Sequence, residues 1–325
     1  MFITFALISK SLCNNEQKSN RGKPNSGCHK LNTFFMIRKS HLQNLCYAVV
    51  YPPVYLLSML PYFISNLLIG RMMFFLTYYV FRYRYPVVLQ NISRSLPQKD
   101  YKEVKQLARE YYQHLAAMIV EVVRSFSIRS GQQMKRVSLS NSAFLDDYYA
   151  QKRNVIAVLG HYGNWECLNI LPMQLSFQVN AIYKPLSNPV MGKLVQRIRT
   201  RFGVRLIPAQ YALRQLLKPQ EKPQFSLFIA DQFPGKNAKC ELKFLNQDTL
   251  MFNGAEKLAV ATDAVVVYID MRPTGNNRWK VEFSLITDAA KQTRDHEITA
   301  AFSRKLEQSI SSGPAYWLWS HRRWK

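Results

Sequence analysis

Acidic residues are scarce in this chain, and so are the motifs that would assign its surplus of positive charge to a familiar partner. Against 44 Lys plus Arg stand only 20 Asp plus Glu, a formal net charge of +24 over 325 residues. Such an excess attracts polyanions: nucleic acid, phosphorylated lipid, an acidic protein or an anionic bilayer face. Zinc-finger spacing, an RNP motif and a long basic tail are all missing, which argues against a nucleic-acid reader. Cysteine is also sparse and badly spaced for structural use. Cys13, Cys28, Cys46, Cys167 and Cys240 include no CxxC pair and no His-rich neighbour, so a disulfide scaffold or zinc site is disfavoured and free thiols in a reducing compartment are expected. Cys167 is expected to be a small packing residue near the site described below. No other metal-ligand set is visible.

What is present mixes arginine with aromatic rings. Arg82-Tyr83-Arg84-Tyr85, the stretch 197–205 and His321-Arg322-Arg323-Trp324-Lys325 suit a membrane interface, where rings sit at headgroup depth and guanidinium groups reach phosphates. Residues 45–70 carry no formal charge and are long enough to cross a hydrocarbon core as a helix. Pro52, Pro53 and Pro61 would kink such a span, so two shorter helices lying in one leaflet, or a buried hairpin of a soluble protein, stay open. Positive charge at Arg38, Lys39, Arg71, Arg82 and Arg84 favours a cytoplasmic body. Upstream, residues 1–35 read as a disordered or non-native extension: the segment 14–24 is too polar to pack, no cleavage pattern follows the apolar start, and Met36 is the expected natural start. The division is therefore 1–35, a membrane-associated helical anchor over 36–90, and a catalytic domain over 91–325.

Pro97-Gln98-Lys99-Asp100 reads as a helix entry, followed by apolar residues at helical spacing from Val104 to Val122. Glu121 and Arg124 near its end read as a solvated pair or as residues that reach the site. From residue 155 onward strands and helices alternate. Strands are expected over 155–159, 179–183, 204–208, 225–230, 264–270 and 280–286, and helices over 165–175, 189–202, 209–217, 253–262 and 298–311. The alternation predicts an α/β fold, a mixed sheet flanked by helices. His161, Lys184, Asp231 and Arg272 fall at expected carboxyl ends of strands, where active groups gather in such folds.

Gly160-His161-Tyr162-Gly163-Asn164-Trp165-Glu166 places an imidazole and a carboxylate just after an apolar strand. Glu166, in the first turn of the next helix, is expected to fold back on His161 and hold one tautomer, leaving the ring free to take a proton from a hydroxyl. The bland alternative is a capped strand-to-helix junction with Glu166 favouring the positive helix end. Five further strings follow in order: Tyr183-Lys184-Pro185-Leu186-Ser187-Asn188-Pro189; Arg199-Thr200-Arg201-Phe202-Gly203; Ala230-Asp231-Gln232; Phe252-Asn253-Gly254-Ala255-Glu256-Lys257-Leu258-Ala259; and Trp317-Leu318-Trp319-Ser320-His321-Arg322-Arg323-Trp324-Lys325. Together they resemble the late acyltransferases of lipid A biosynthesis in Gram-negative bacteria, from about residue 40 to the last residue.

The resemblance implies a fold of the glycerol-3-phosphate acyltransferase type, an anchor in the inner membrane with the catalytic body on its cytoplasmic face, and transfer from acyl-acyl carrier protein, or acyl-CoA, to a hydroxyl of a phosphorylated glucosamine lipid. It makes His161 the general base and Glu166 its partner, and it puts Lys184, Arg199, Arg201 and Asp231 near the substrate. Lys184 departs from the family, where Arg is usual; a phosphate contact would survive as a point charge without bidentate geometry. Arg199 and Arg201 lie two apart on a helix, so only one is expected to face the site. Asp231 reads equally as a strand-end turn or structural ion pair, and the carboxyl-terminal Trp/Arg cluster as closing the fold or touching headgroups. A thioester is already activated, so neither a covalent enzyme intermediate nor a GxSxG elbow is required, and no cofactor beyond the acyl donor is expected. Expected partners are acyl carrier protein, a phosphorylated lipid acceptor and an anionic membrane, with no nucleic acid. Two other readings stay open: an acyltransferase of the same fold acting on a lysophospholipid, glycolipid or aminolipid, and a non-catalytic membrane scaffold.

Overall fold

The computed structural model describes residues 28–236, 238–275 and 277–324. The expected extension over 1–35 lies outside these as far as residue 27, and the described chain starts as helix α1 (Cys28–Ser58), which runs through Pro52 and Pro53. A turn ending at Pro61 separates α1 from a second helical run, α2 (Tyr62–Val80), in which α and π turns alternate. The uncharged stretch 45–70 is therefore not one span: the break before Pro61 divides it, and among the described residues the helix long and apolar enough to cross a membrane is Tyr62–Val80, 19 residues of mean hydropathy 1.3. Only 22% of that helix is buried, and Phe63, Leu67, Leu68, Met72 and Phe75 all stand exposed.

Two further helices, α3 (Tyr85–Ser95) and α4 (Tyr101–Arg124), lead into the α/β body. Asp100 starts α4 by accepting from the Glu103 backbone N–H at 2.8 Å, while the Glu103 carboxylate accepts from the Asp100 N–H at 2.9 Å, a reciprocal cap that satisfies otherwise orphaned donors. The buried side of α4 carries Val104, Leu107, Tyr111, Leu115 and Met118, a spacing that buries one stripe against the body.

The described residues form a seven-stranded sheet ordered β1-β9-β8-β2-β5-β3-β4, from β1 (Val137–Ser140), β2 (Val155–Leu159), β3 (Gln178–Tyr183), β4 (Arg205–Pro208), β5 (Gln224–Ile229), β8 (Val265–Gly275) and β9 (Arg278–Thr287). β6 (Glu241–Phe244) and β7 (Gln247–Leu250) pair as a separate antiparallel hairpin. All sheet neighbours run parallel except β8 and β9, so the sheet is mixed and flanked by helices, as expected. Every residue of β2 is buried, which explains its unbroken apolar run: a central strand has no solvent face. β2 and β5 are neighbours in register from Val155 with Phe225 to Leu159 with Ile229. That register brings the residues just beyond both strands, His161 and Asp231, to the same edge.

Candidate active site

Two glycines shape the turn after β2. A Cβ on Gly160 would lie 2.6 Å from Leu306 Cδ1 and 3.3 Å from Asp231 Oδ2, so only glycine lets the strand end come this close. Gly163 has φ +68°, the left-handed conformation that reverses the chain. The carboxyl-terminal segment clamps this turn: Gly163 N–H donates to Tyr316 O at 3.0 Å, Leu318 N–H donates to His161 O at 3.1 Å, and Tyr162 bridges Trp317.

His161 sits at the base of the site. Its Nδ1–H donates to Asp231 Oδ1 at 2.5 Å and its backbone N–H to Asp231 Oδ2 at 2.8 Å. Trp317 Nε1–H adds a third bond, to Asp231 Oδ2 at 2.8 Å. Burial alone would raise the Asp231 carboxyl, but the His161 ring, the bonds from that ring and from the His161 backbone, and the bond from Trp317 outweigh it and hold the group down at about 2. Asp231 is thus a buried carboxylate aimed at an imidazole, and it is more than a strand-end turn. A proton held on Nδ1 leaves the Nε2 lone pair outward. The Gln232 amide lies 3.3 Å from Nε2, and Trp165 meets the ring edge-on with centroids 4.7 Å apart.

Glu166 is not the partner of His161. The expected helix over 165–175 is a 3-10 helix, Trp165–Met173, with Pro172 inside it, and Asn164 caps it by accepting from Glu166 N–H at 3.2 Å. The Glu166 carboxylate is held by Arg199, whose Nε donates to Oε2 at 2.9 Å and Nη2 to Oε1 at 2.5 Å, a bidentate pair. Arg199 lies on α7 (Pro189–Thr200), after α5 (Ser130–Arg136) and α6 (Ala143–Ala150). Of the two arginines two apart, Arg199 faces the site. Arg201 caps the end of α7 and donates to Ser125 O at 2.6 Å, outside the residues that line the cavity.

The capped turn rests on a buried polar cluster. Glu121 accepts from Asn164 Nδ2 at 2.7 Å, Trp279 Nε1 at 3.0 Å and Arg136 Nη2 at 3.1 Å. Glu121 is therefore neither solvated nor paired with Arg124: it ties α4 and α5 to Asn164. Arg272, expected at a strand end near the site, lies within β8 and pairs with Asp270 at 2.7 Å, largely exposed. Cys167 is buried beside the turn, where burial raises its thiol well above the usual range, consistent with packing.

A cavity of about 920 Å³ opens over His161. Its lining includes Trp165, Lys184, Arg199 and Ile229, with Leu115 and Met118 from α4. Lys184 is exposed there, a point charge on the lining. A recess of about 50 Å³ behind Trp165, between Leu168, Ala181, Val204 and Leu227, extends the apolar surface toward the sheet. An apolar groove with one imidazole, one ion pair and a few polar groups suits a chain-like apolar ligand.

The profile of the bacterial lipid A biosynthesis acyltransferases matches residues 35–325. The chain belongs to that family. As a lipid A acyltransferase family member it is an enzyme that transfers an acyl group to a lipid acceptor. The lipid A biosynthesis palmitoleoyltransferase of Escherichia coli (strain K12) and the lipid A biosynthesis acyltransferase of Shigella flexneri are each 22% identical to it over 243 residues, covering 74% of this chain and 79% of theirs. Among solved structures, the 1-acyl-sn-glycerophosphate (LPA) acyltransferase PlsC of Thermotoga maritima aligns with a TM-score of 0.36 and 15% identity, over 79% of this chain and 100% of that one.

Proposed function

We propose that this acyltransferase moves a fatty acyl chain from acyl-acyl carrier protein to a hydroxyl of a phosphorylated lipid A precursor at the cytoplasmic face of the inner membrane, with His161 as general base oriented by Asp231. The observation that carries the reading is the His161–Asp231 pair, 2.5 Å apart, opening on the apolar cavity of about 920 Å³. The acceptor hydroxyl gives its proton to His161 Nε2 while its oxygen attacks the thioester carbonyl carbon. Collapse of the tetrahedral species breaks the carbon–sulfur bond, and the imidazolium returns the proton to the leaving thiolate. Asp231 stays ionised throughout and stabilises the imidazolium.

Arg199 supplies positive charge for the developing oxyanion, and Glu166 holds its guanidinium plane in place. Lys184 meets an acceptor phosphate. The net charge of +24 favours capture of an acidic carrier and an anionic bilayer. The exposed apolar side of α2 supports insertion in the membrane, which brings the lipid acceptor to the cavity without its leaving the bilayer. Purified enzyme with acyl-acyl carrier protein and the lipid A precursor in mixed micelles tests this. Gain of one acyl mass on the acceptor, absent with His161→Ala, is expected. Transfer only to lysophospholipid, glycolipid or aminolipid acceptors would contradict the choice of acceptor.

A further inference from the structure

We infer that Trp317 is a positioning residue for acyl transfer: from the carboxyl-terminal segment it fixes the carboxylate of Asp231, and through it the tautomer and orientation of the His161 imidazole. This rests on the acyl-transfer reading above. Asp231 Oδ2 accepts from Trp317 Nε1 and from the His161 backbone, each at 2.8 Å, leaving Oδ1 for His161 Nδ1 at 2.5 Å. A carboxylate can rotate about its Cβ–Cγ bond, and two donors on one oxygen fix which oxygen faces the ring. One donor is backbone and the other is an indole that is 2% exposed.

The indole has no freedom of its own. It packs edge-on against Trp319 at 4.8 Å and Phe244 at 5.8 Å between ring centroids, and its neighbours on both sides bond the His161 turn. The segment carrying it is tied down from the far side: Asn91 Nδ2 donates to Trp319 O at 2.7 Å and to His321 O at 2.8 Å, Arg84 Nη1 donates to Ser320 O at 2.9 Å, and Tyr111 OH donates to Ser320 Oγ at 2.8 Å. A chain end that only closed the fold would not need an indole N–H on the carboxylate that orients the base.

Loss of this donor leaves more negative charge on Asp231, which strengthens its hold on the imidazolium and raises the pH at which His161 becomes a free base. Other titratable groups facing Asp231 are His321 and Arg323 on the same segment and Tyr268 on β8. His321 is pushed down to about 4 and Arg323 to about 10, chiefly by burial, and Tyr268 is raised well beyond its ordinary range. None of these three groups changes protonation between roughly pH 5 and 9.

The test compares wild type with Trp317→Phe, with an isostere at 317 carrying sulfur in place of the indole N–H, and with Trp319→Phe, whose Nε1 bonds Pro314 O instead. Both changes at 317 are expected to lower kcat about tenfold, to leave KM within about twofold, and to move the acidic limb up by about half a pH unit. Trp319→Phe leaves the limb in place. A limb at the wild-type position in the two 317 variants, or an equal shift in Trp319→Phe, overturns the inference. If wild type transfers no acyl chain to any lipid, the acyl-transfer reading fails instead. NMR titration of the His161 ring in the full chain then decides the positioning claim alone, an unshifted midpoint in the isostere overturning it and an upward shift supporting it.

Discussion

Asp231 Oδ1 lies 2.5 Å from His161 Nδ1, while the Glu166 carboxylate, five residues from the same histidine, is taken up by Arg199. The carboxylate bonded to this imidazole thus comes from just beyond the neighbouring strand β5 and not from the next helix. Asp231→Asn keeps the shape but lets an amide N–H face Nδ1, which favours the tautomer with its proton on Nε2. kcat is expected to fall by about 10³ to 10⁴ with the fold retained, measured as steady-state acyl transfer alongside circular dichroism. A loss under tenfold would remove Asp231 from this role.

Glu166 and Arg199 act as one unit in this account. Glu166→Gln frees the guanidinium and Arg199→Gln removes it, so each change alone should cost nearly as much kcat as both together. A double-mutant cycle on kcat measures the coupling, expected at about 1–3 kcal/mol. Additive effects would mean that the two residues work separately.

Buried Glu121 is expected to matter for stability more than for chemistry. Its side chain is 4% exposed and that of Arg136 is 9%. Glu121→Ala leaves Arg136 without its buried carboxylate and Asn164 and Trp279 without an acceptor, a loss of about 3–5 kcal/mol. Urea unfolding of the variant checks this, and an unchanged midpoint would contradict the cluster's structural role.

Two histidines make the fold sensitive to acid. Burial pushes His114 and His321 from 6.5 to about 4. A group whose folded pKa is depressed binds more protons when unfolded, so the stability is present above pH 6.5 and is lost as pH falls toward about 4. Asp231 adds a lower step, from 3.8 to about 2. Denaturant midpoints between pH 7.5 and 4.5 should fall steadily, and the slope should flatten in His114→Gln/His321→Gln.

The exposed side of α2 carries Phe63 at 71%, Leu67 at 48% and Phe75 at 56% exposure. Changing all three to Ser removes about 1.5–3 kcal/mol of apolar transfer per side chain. Vesicle flotation should show most of the variant leaving anionic liposomes that hold the wild type. Equal flotation would exclude this side as the membrane contact.

Strand positions were legible because an unbroken apolar run such as 155–159 has few other uses, and β2, β3, β4 and β5 fall within a residue or two of expectation. β1 and the β6–β7 hairpin escaped because Val137–Ser140, Glu241–Phe244 and Gln247–Leu250 are short and at least half polar, whereas β4, equally short, carries the apolar pair Leu206-Ile207. The site residues His161, Glu166, Arg199 and Asp231 were all named from sequence, but their pairing was not. Sequence distance favoured His161 with Glu166, whereas the parallel register of β2 and β5 decides for Asp231, 70 positions away. Trp317 was passed over for a related reason: only the return of the chain end to the β2 turn shows where its N–H points.

Mass spectrometry of lipid A from cells lacking this gene, complemented with wild type, His161→Ala or Asp231→Asn, tests most directly whether His161 and Asp231 carry acyl transfer to lipid A. One acyl chain should be missing without the gene, restored by wild type, not by His161→Ala, and only in trace by Asp231→Asn. Lipid A unchanged by loss of the gene, or restored in full by His161→Ala, would contradict the account.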